Sequence, residues 1–369
     1  MPEFEPVSPA DVSTIERPGC PECRQQRMLL SKLGSGPSGA ATRTFECQKC
    51  GNISTTLIPS DPMTSDANSG SRGISARPSL GNRLVGRRSR LALFLETVKF
   101  EHTIFALPFA YVALFLAADG FPSGADFAWI TVAMVSARTF AMAANRLIDA
   151  EIDARNPRTA SRPLPTGRLS YAEVTLYAGA SAAVFVVAAF QFGSLARALW
   201  PVVLVAMAAY PYAKRFTWAS HLALGLVYVM VPTGVWMALH NELSGASLAL
   251  GLAAGCWVAG FDIIYACQDI DVDRRDGLHS LPADVGVAPA LVAARALHAL
   301  MLAALAVAGW SLERGVWYYI GIAVTGLLLA YEHRLVSPRD LSRVNAAFFT
   351  TNGIISLLLL GATVADTVT

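Results

Sequence analysis

The chain has 369 residues, of which 54% are hydrophobic and only 15% charged, against about 25% charged in soluble domains. With a mean hydropathy of +0.44, this excludes a disordered chain and an ordinary soluble enzyme. A net charge of +2 is too balanced for a nucleic-acid binder. Six cysteines, four of them within the first 50 residues, do not make a disulfide scaffold.

Residues 1–90 are polar and rich in Ser, Pro, Gly and Arg, with no long apolar run. Cys20-Pro-Glu-Cys23 and Cys47-Gln-Lys-Cys50 form a CxxC…CxxC pair with 23 residues between. Four thiolates at this spacing suit a closed tetrahedral Zn²⁺ site, and a stretch with so little apolar surface would take much of its folding energy from the metal. The expectation is a zinc-ribbon-like four-cysteine module over residues 1–58, structural or a contact for a protein partner. A flexible linker and basic approach follow over 59–90, and a transmembrane domain over 91–369. A disulfide or redox pair is the competing use of the cysteines.

From residue 91 apolar stretches recur near 100–118, 127–148, 173–192, 198–213, 219–239, 246–267, 289–310, 316–333 and 345–364. Most approach the roughly 20 residues that a helix needs to cross a bilayer. The fold class expected is therefore all-α, a polytopic membrane protein of about nine transmembrane helices. Basic residues set the orientation. The connections after the second, fourth, sixth and eighth stretches carry eleven Lys or Arg, and the opposite connections only Arg197 and Arg314. With Arg83, Arg87, Arg88, Arg90 and Lys99 ahead of the first stretch, the amino terminus is expected on the cytoplasmic side of the cell's inner membrane.

Two acidic ladders carry the chemistry. In Asn145-Arg-Leu-Ile-Asp149-Ala-Glu-Ile-Asp153 the spacing of four places an amide and two carboxylates on one helix face, at about 100° per residue. Arg138 falls near Asn145 on that face. In Asp262-Ile-Ile-Tyr265-Ala-Cys-Gln268-Asp269-Ile-Asp271-Val-Asp273, Asp262, Asp269 and Asp273 share a face, and Asp271 points away. Both ladders end a stretch on the cytoplasmic side, and no obvious complement of Lys or Arg neutralises them in place. Solvated helix ends are the bland alternative. Paired carboxylates bind hard divalent cations, and Mg²⁺ commonly joins one or two carboxylates to substrate phosphates. Arg158, Arg162, Lys214 and Arg215 nearby suit those phosphates, so the pattern fits stabilisation of a departing diphosphate.

At these residues the sequence resembles the UbiA superfamily of intramembrane aromatic prenyltransferases, over about residues 91–365. Asn145, Asp149 and Asp153 match the first motif NxxxDxxxD, and Asp269 and Asp273 the second, DxxxD. Residues 156–167 (NPRTASRPLPTG) and 210–217 (YPYAKRFT) look like two connecting blocks of the family. Residues 99–108 (KFEHTIFALP) and 276–282 (DGLHSLP) look like the 4-hydroxybenzoate polyprenyltransferase-like branch, and within it like menaquinone-related enzymes of the futalosine route, which prenylate a dihydroxynaphthoate. The resemblance implies nine helices around a central cavity and transfer of a polyprenyl group from polyprenyl diphosphate to a small aromatic acid through an allylic carbocation. Two Mg²⁺ ions would be held by Asp149 with Asp153 and by Asp269 with Asp273. Asn145 would assist the first, and Arg162, Lys214 and Arg215 would contact the diphosphate. The amino-terminal cysteines lie outside the family pattern.

Several residues carry two readings. Arg138 suits a substrate carboxylate or an ion pair with Asp149. His279 suits the acceptor or a helix cap, and Asp262 tunes the second ladder or reaches the acceptor through Tyr265. Arg158 and Tyr210 join the substrate-binding set. His102 beside Glu101 is a proton acceptor or a packed histidine. Cys256 and Cys267 read as packing residues, and Trp200, Trp236, Trp257 and Trp317 as anchors, one aromatic near an allylic cation being chemically sensible. Two rival classes remain. In a CDP-alcohol phosphotransferase, Asp273-Arg-Arg-Asp276-Gly277 would open the signature, but the rest of it is missing. A transporter would use the acids as a cation relay, but would place them near the midplane.

Overall fold

A computed structural model describes residues 29–35, 41–47, 50, 53–57, 89–99 and 103–369, with side chains placed at 45–47, 50, 89–99 and 107–369. The chain divides into two units, Met1–Leu84 and Val85–Thr369. In the first, β1 (Leu29–Ser35), β2 (Ala41–Glu46) and β3 (Ile53–Leu57) form an antiparallel sheet in the order β1-β2-β3. Leu29 pairs with Glu46, and Glu46 in turn with Ile53. A break in the β1–β2 register falls between Leu30 and Lys32. Phe45 and Cys47 are buried and Cys50 is exposed. Cys20 and Cys23 lie outside the described residues, as do Glu101 and His102.

The second unit is helical. Its long helices are α2 (Thr103–Ala118), α3 (Gly124–Ile148), α5 (Tyr171–Ala189), α6 (Ser194–Ala209), α7 (Ser220–His240), α8 (Gly245–Ala266), α11 (Val287–Ser311), α12 (Val316–Leu335) and α13 (Asn352–Val368). Four short helices join them: α1 (Arg90–Thr97), α4 (Ala150–Arg155), α9 (Ile270–Asp276) and α10 (Leu281–Val285). A 3₁₀ turn, Tyr210–Arg215, extends α6, and a π turn, Ala346–Thr351, leads into α13. Among the described residues, seven helical segments are long and apolar enough to cross a membrane. α2, with its shorter apolar part Leu107–Ala118, and α12 fall outside that set.

Local chemistry explains where the helices begin. Ser123 caps α3 through the Asp126 N–H, and Ser170 and Ser244 each close a capping box, with Glu173 and Ser247, satisfying amides that the first turn leaves without partners. Each long helix packs against the next, and α13 packs back on α2, closing the set. α8 is the inner member: 78% of its apolar window is buried, against 11% for α6 with its 3₁₀ extension. Small residues let α7 and α8 approach. A Cβ on Gly225 would sit 2.7 Å from the Gly255 carbonyl oxygen, and one on Gly255 2.8 Å from that of Gly225. Close backbone approach of this kind supplies the dispersion that drives helix association where lipid removes the hydrophobic contribution.

Candidate active site

Each ladder straddles a helix break. Asp149 separates α3 from α4 with φ −96° and ψ 6°, and Asp269 precedes α9 with φ −106° and ψ 6°. The sparsely populated bridge region that both occupy is one where active-site residues recur. At the first break the helical bonding carries on. The Asp149 N–H donates to Asn145 O at 2.9 Å and the Asp153 N–H to Asp149 O at 2.7 Å, so the shared face survives the break. Asn145 Nδ2 donates to Asp149 Oδ2 at 3.0 Å.

The expectation that the acids lack neutralising cations is overturned. Asp149, 2% exposed, accepts from Lys214 Nζ at 2.6 Å, and its Oδ1 lies 3.8 Å from Arg215 Nη2. Asp153 Oδ2 accepts from Arg162 Nη1 at 2.7 Å and lies 3.6 Å from Arg146 Nη1. Arg158 grips Asp269 with two parallel bonds, 3.0 Å from Nε and 2.6 Å from Nη2, while its Nη1 donates to the Tyr265 hydroxyl at 3.1 Å. Asn156 Nδ2 adds a bond to Asp269 Oδ1 at 3.1 Å. Asp273 accepts from the Ser280 hydroxyl at 2.7 Å. Burial raises the Asp273 carboxyl above its ordinary range, and the Asp269 charge adds to this against the pull of Ser280, Lys214 and His221. Apart from Arg146, which lies within the first ladder, the cations come from the connecting segments, so counting charge within each ladder could not find them.

These contacts bring the two ladders together. The loop after α4 reaches the second ladder through Asn156 and Arg158, and Arg155 Nε donates to Asp276 at 3.1 Å. Arg275 Nη2 returns a bond to Arg155 O at 3.0 Å. From the 3₁₀ turn, Lys214 holds Asp149 and its carbonyl accepts the His279 N–H at 2.7 Å. His279 Nδ1 pairs with Asp284 at 3.0 Å, so this histidine secures the loop ahead of α10. Tyr210 opens the 3₁₀ turn that carries Lys214 and Arg215.

Two expected residues stand elsewhere. Asp262 does not join Asp269 and Asp273; its Oδ2 pairs with His221 Nδ1 at 2.7 Å, tying α8 to α7. Arg138 donates to the carbonyl oxygens of Val98 and Lys99, both at 3.3 Å, just past the end of α1, and the cations on Asp149 are Lys214 and Arg215. Arg146, Asn156, His221 and Ser280 were missed by the motif spacing. Arg146, 8% exposed, also bonds Asn145 Oδ1 and Thr97 O, at 3.1 and 3.2 Å. Its position next to Asn145 was the only signal available.

Among the described residues no three acid, His or Cys side chains form a ready-made metal cage. The residues nevertheless fit Mg²⁺ bound together with an anionic ligand. Asp149 Oδ1 is a buried acceptor and Arg215 Nε a buried donor, neither with a hydrogen-bond partner. A cation on the first and a phosphate oxygen on the second would satisfy both, and Mg²⁺ keeps to one or two carboxylates when phosphates complete its shell.

A set of apolar helices with two acid ladders at their ends, the first buried and three of the four acids paired with Lys or Arg, defines a polytopic membrane protein with an anion-handling site. The chain belongs to the UbiA prenyltransferase family, whose pattern matches residues 106–354, and it is a prenyltransferase. It is 29% identical to a 4-hydroxybenzoate octaprenyltransferase of Aromatoleum aromaticum, covering 74% of this chain and 93% of the relative. A protein of that name from Xanthomonas euvesicatoria is 32% identical, over 69% and 84%. A UbiA homologue from Aeropyrum pernix K1 superposes with TM-score 0.66 at 35% identity, covering 72% of this chain and 98% of that one. An Archaeoglobus fulgidus homologue bound to DMAPP and Mg²⁺, at 19% identity and TM-score 0.58, shares the fold. Membership removes the phosphotransferase and transporter readings.

Proposed function

We propose that the chain transfers a polyprenyl group from polyprenyl diphosphate to a small aromatic acid of the 4-hydroxybenzoate or dihydroxynaphthoate type, in quinone biosynthesis. The observation that carries this is the joining of the two ladders by Arg158 and Lys214, with Asp149 Oδ1 and Arg215 Nε each buried without a hydrogen-bond partner. Asp149 with Asp153 and Asp269 with Asp273 would hold two Mg²⁺ ions, which neutralise charge on the leaving diphosphate. Arg158, Arg162, Lys214 and Arg215 turn from the acids to the diphosphate oxygens and hold the allylic C–O bond beside the acceptor. The leaving group departs with the bonding pair, an acceptor ring carbon attacks the allylic cation, and that carbon loses its proton to water. Arg138, whose guanidinium bonds the carbonyls of Val98 and Lys99, is the residue proposed to meet an acceptor carboxylate.

The names of the relatives support 4-hydroxybenzoate as acceptor, and residues 99–108 and 276–282 the naphthoate. Incubation of the purified enzyme with labelled polyprenyl diphosphate, Mg²⁺ and a panel of aromatic acids decides between them. Absence of any prenylated aromatic or released diphosphate refutes the reading.

Nine membrane crossings in the inner membrane, with a cytoplasmic amino terminus, follow from the loop charges; cysteine accessibility in inverted vesicles tests that placement. For residues 1–58 the proposal is a structural Zn²⁺ on Cys20, Cys23, Cys47 and Cys50, which rests on the CxxC…CxxC spacing. Zinc near zero per chain in a reduced preparation removes it.

A further inference from the structure

Three residues of α8 stand at intervals of four, Trp257, Phe261 and Tyr265, and Asp269 follows at the same interval just past the helix end. Each step advances about 40° around the helix, so three rings form a slanting row that ends at the acid gripped by Arg158. Trp257 stacks on Phe109 at 4.8 Å and meets Phe261 edge-on at 5.2 Å. Phe348, from the π turn, lies 5.2 Å from Phe261 and 4.2 Å from Tyr265. The Arg158 guanidinium stands 5.3 Å from the Tyr265 ring centre. Phe348 is therefore one ring removed from the cation on Asp269. Trp257 and Phe109 are buried, whereas Phe261, Tyr265 and Phe348 are only partly covered.

A backbone irregularity sets the position of Phe348. Widening one helical turn frees carbonyls that the regular ladder would satisfy, and such turns recur at functional sites. Here Asn352 Nδ2 donates to Ala347 O and Phe348 O, at 3.1 and 3.2 Å, and to Glu332 Oε1 at 3.2 Å. Trp257 Nε1 donates to Asn352 Oδ1 at 2.6 Å. Asn352 is 5% exposed and Glu332 fully buried. One amide thus ties α8, α12 and α13 to the carbonyl of Phe348 itself.

We propose that Phe348, held by the Glu332–Asn352–Trp257 network, forms with Phe261 and Tyr265 the aromatic wall beside which the allylic chain ionises, and so decides whether the cation meets the acceptor or water. The proposal rests on the prenyl-transfer reading. When the C–O bond breaks, its electron pair leaves with the diphosphate and the ring faces stabilise the allylic cation. An intact wall keeps water away, and the acceptor ring carbon supplies the pair for the new C–C bond, its proton passing to solvent. A gapped wall admits water, whose oxygen forms the bond and then loses a proton, giving prenyl alcohol. Phe348 touches the substrate; Asn352 and Glu332 act through it and are positioning residues.

The full chain, with geranyl diphosphate, Mg²⁺ and the acceptor found by the panel, tests this through product partition between prenylated aromatic and geraniol. Phe348→Leu is expected to lower kcat about tenfold, to hold KM for the diphosphate within about twofold, and to raise the geraniol share. Phe348→Tyr restores the wild-type partition. Asn352→Leu raises the geraniol share without touching substrate. Where that variant does not fold in detergent, Trp257→Phe, which removes the N–H to Asn352 together with part of the ring that stacks on Phe109, gives the same shift in smaller measure. Unchanged partition in Phe348→Leu overturns the wall. Unchanged partition in whichever network variant folds overturns the network. A wild type that makes no prenylated product refutes the prenyl-transfer reading instead, before any variant is compared.

Discussion

Arg158 and Asp269, 111 residues apart, meet in a two-bond fork of 3.0 and 2.6 Å. The planar guanidinium matches the carboxylate edge, a geometry that a point-charge ammonium cannot reproduce. The fork closes the loop after the first ladder onto the second in the free protein, and the same planar group is the one proposed to turn to the diphosphate oxygens. Arg158→Lys should therefore lower kcat/KM for the diphosphate about tenfold, and Arg158→Ala about a hundredfold, the range for hydrogen bonds to charged groups. Steady-state kinetics over diphosphate concentration measure this; a lysine variant with wild-type kcat/KM refutes the role of the fork.

Asp149→Asn and Asp269→Asn keep the side-chain shape and remove the charge. Each is expected to reduce turnover by at least about two to three orders of magnitude, the scale for losing a preorganised electrostatic contact, and to shift the Mg²⁺ activation curve upward. Asp271, exposed within the same acidic run, is the control, and Asp271→Asn should retain near wild-type activity. Full activity in either ladder variant sinks its place as a metal ligand.

The ladders were legible because side-chain period and charge are local properties. Asn145, Asp149 and Asp153 share a face because the helical bonding continues across Asp149, so their common face was legible despite the break. The pairing of Asp262 was not legible. Its partner, His221, begins a different helix 41 residues earlier, and nothing in the spacing links them. The cations on the acids were visible as loop charges, but which acid each would meet depends on how the loops fold back. The π turn before α13 left no trace in the apolar pattern, since one extra residue per turn does not disturb a uniformly apolar stretch.

A second tie between the loops titrates. The Arg275 hydrogen bond, and after it that of Arg155, hold the Asp276 carboxyl below its ordinary range. The folded state then binds fewer protons than the unfolded chain. The stabilisation is present above the usual carboxylate pKa and is lost as pH falls through the lowered value. Asp276→Asn is expected to melt below the wild type at about pH 7, with the gap closing as pH falls through the lowered value. Melting curves of both proteins in one detergent check this, and a gap independent of pH contradicts it.

His221 looks like a base beside an acid, but its hydrogen bonds assign another role. The Leu281 N–H can only donate, so Nε2 accepts it at 3.2 Å, and Nδ1 carries the hydrogen that bonds Asp262 at 2.7 Å. Both ring nitrogens are committed, and the ring is a strut joining α7, α8 and the start of α10. His221→Phe leaves a buried N–H and a carboxylate without their partner, at an expected cost of about 1–3 kcal/mol. The melting temperature should fall while the shape of the pH profile of kcat/KM stays the same. Loss of a limb of that profile in His221→Phe would show instead that the imidazole accepts a proton during turnover.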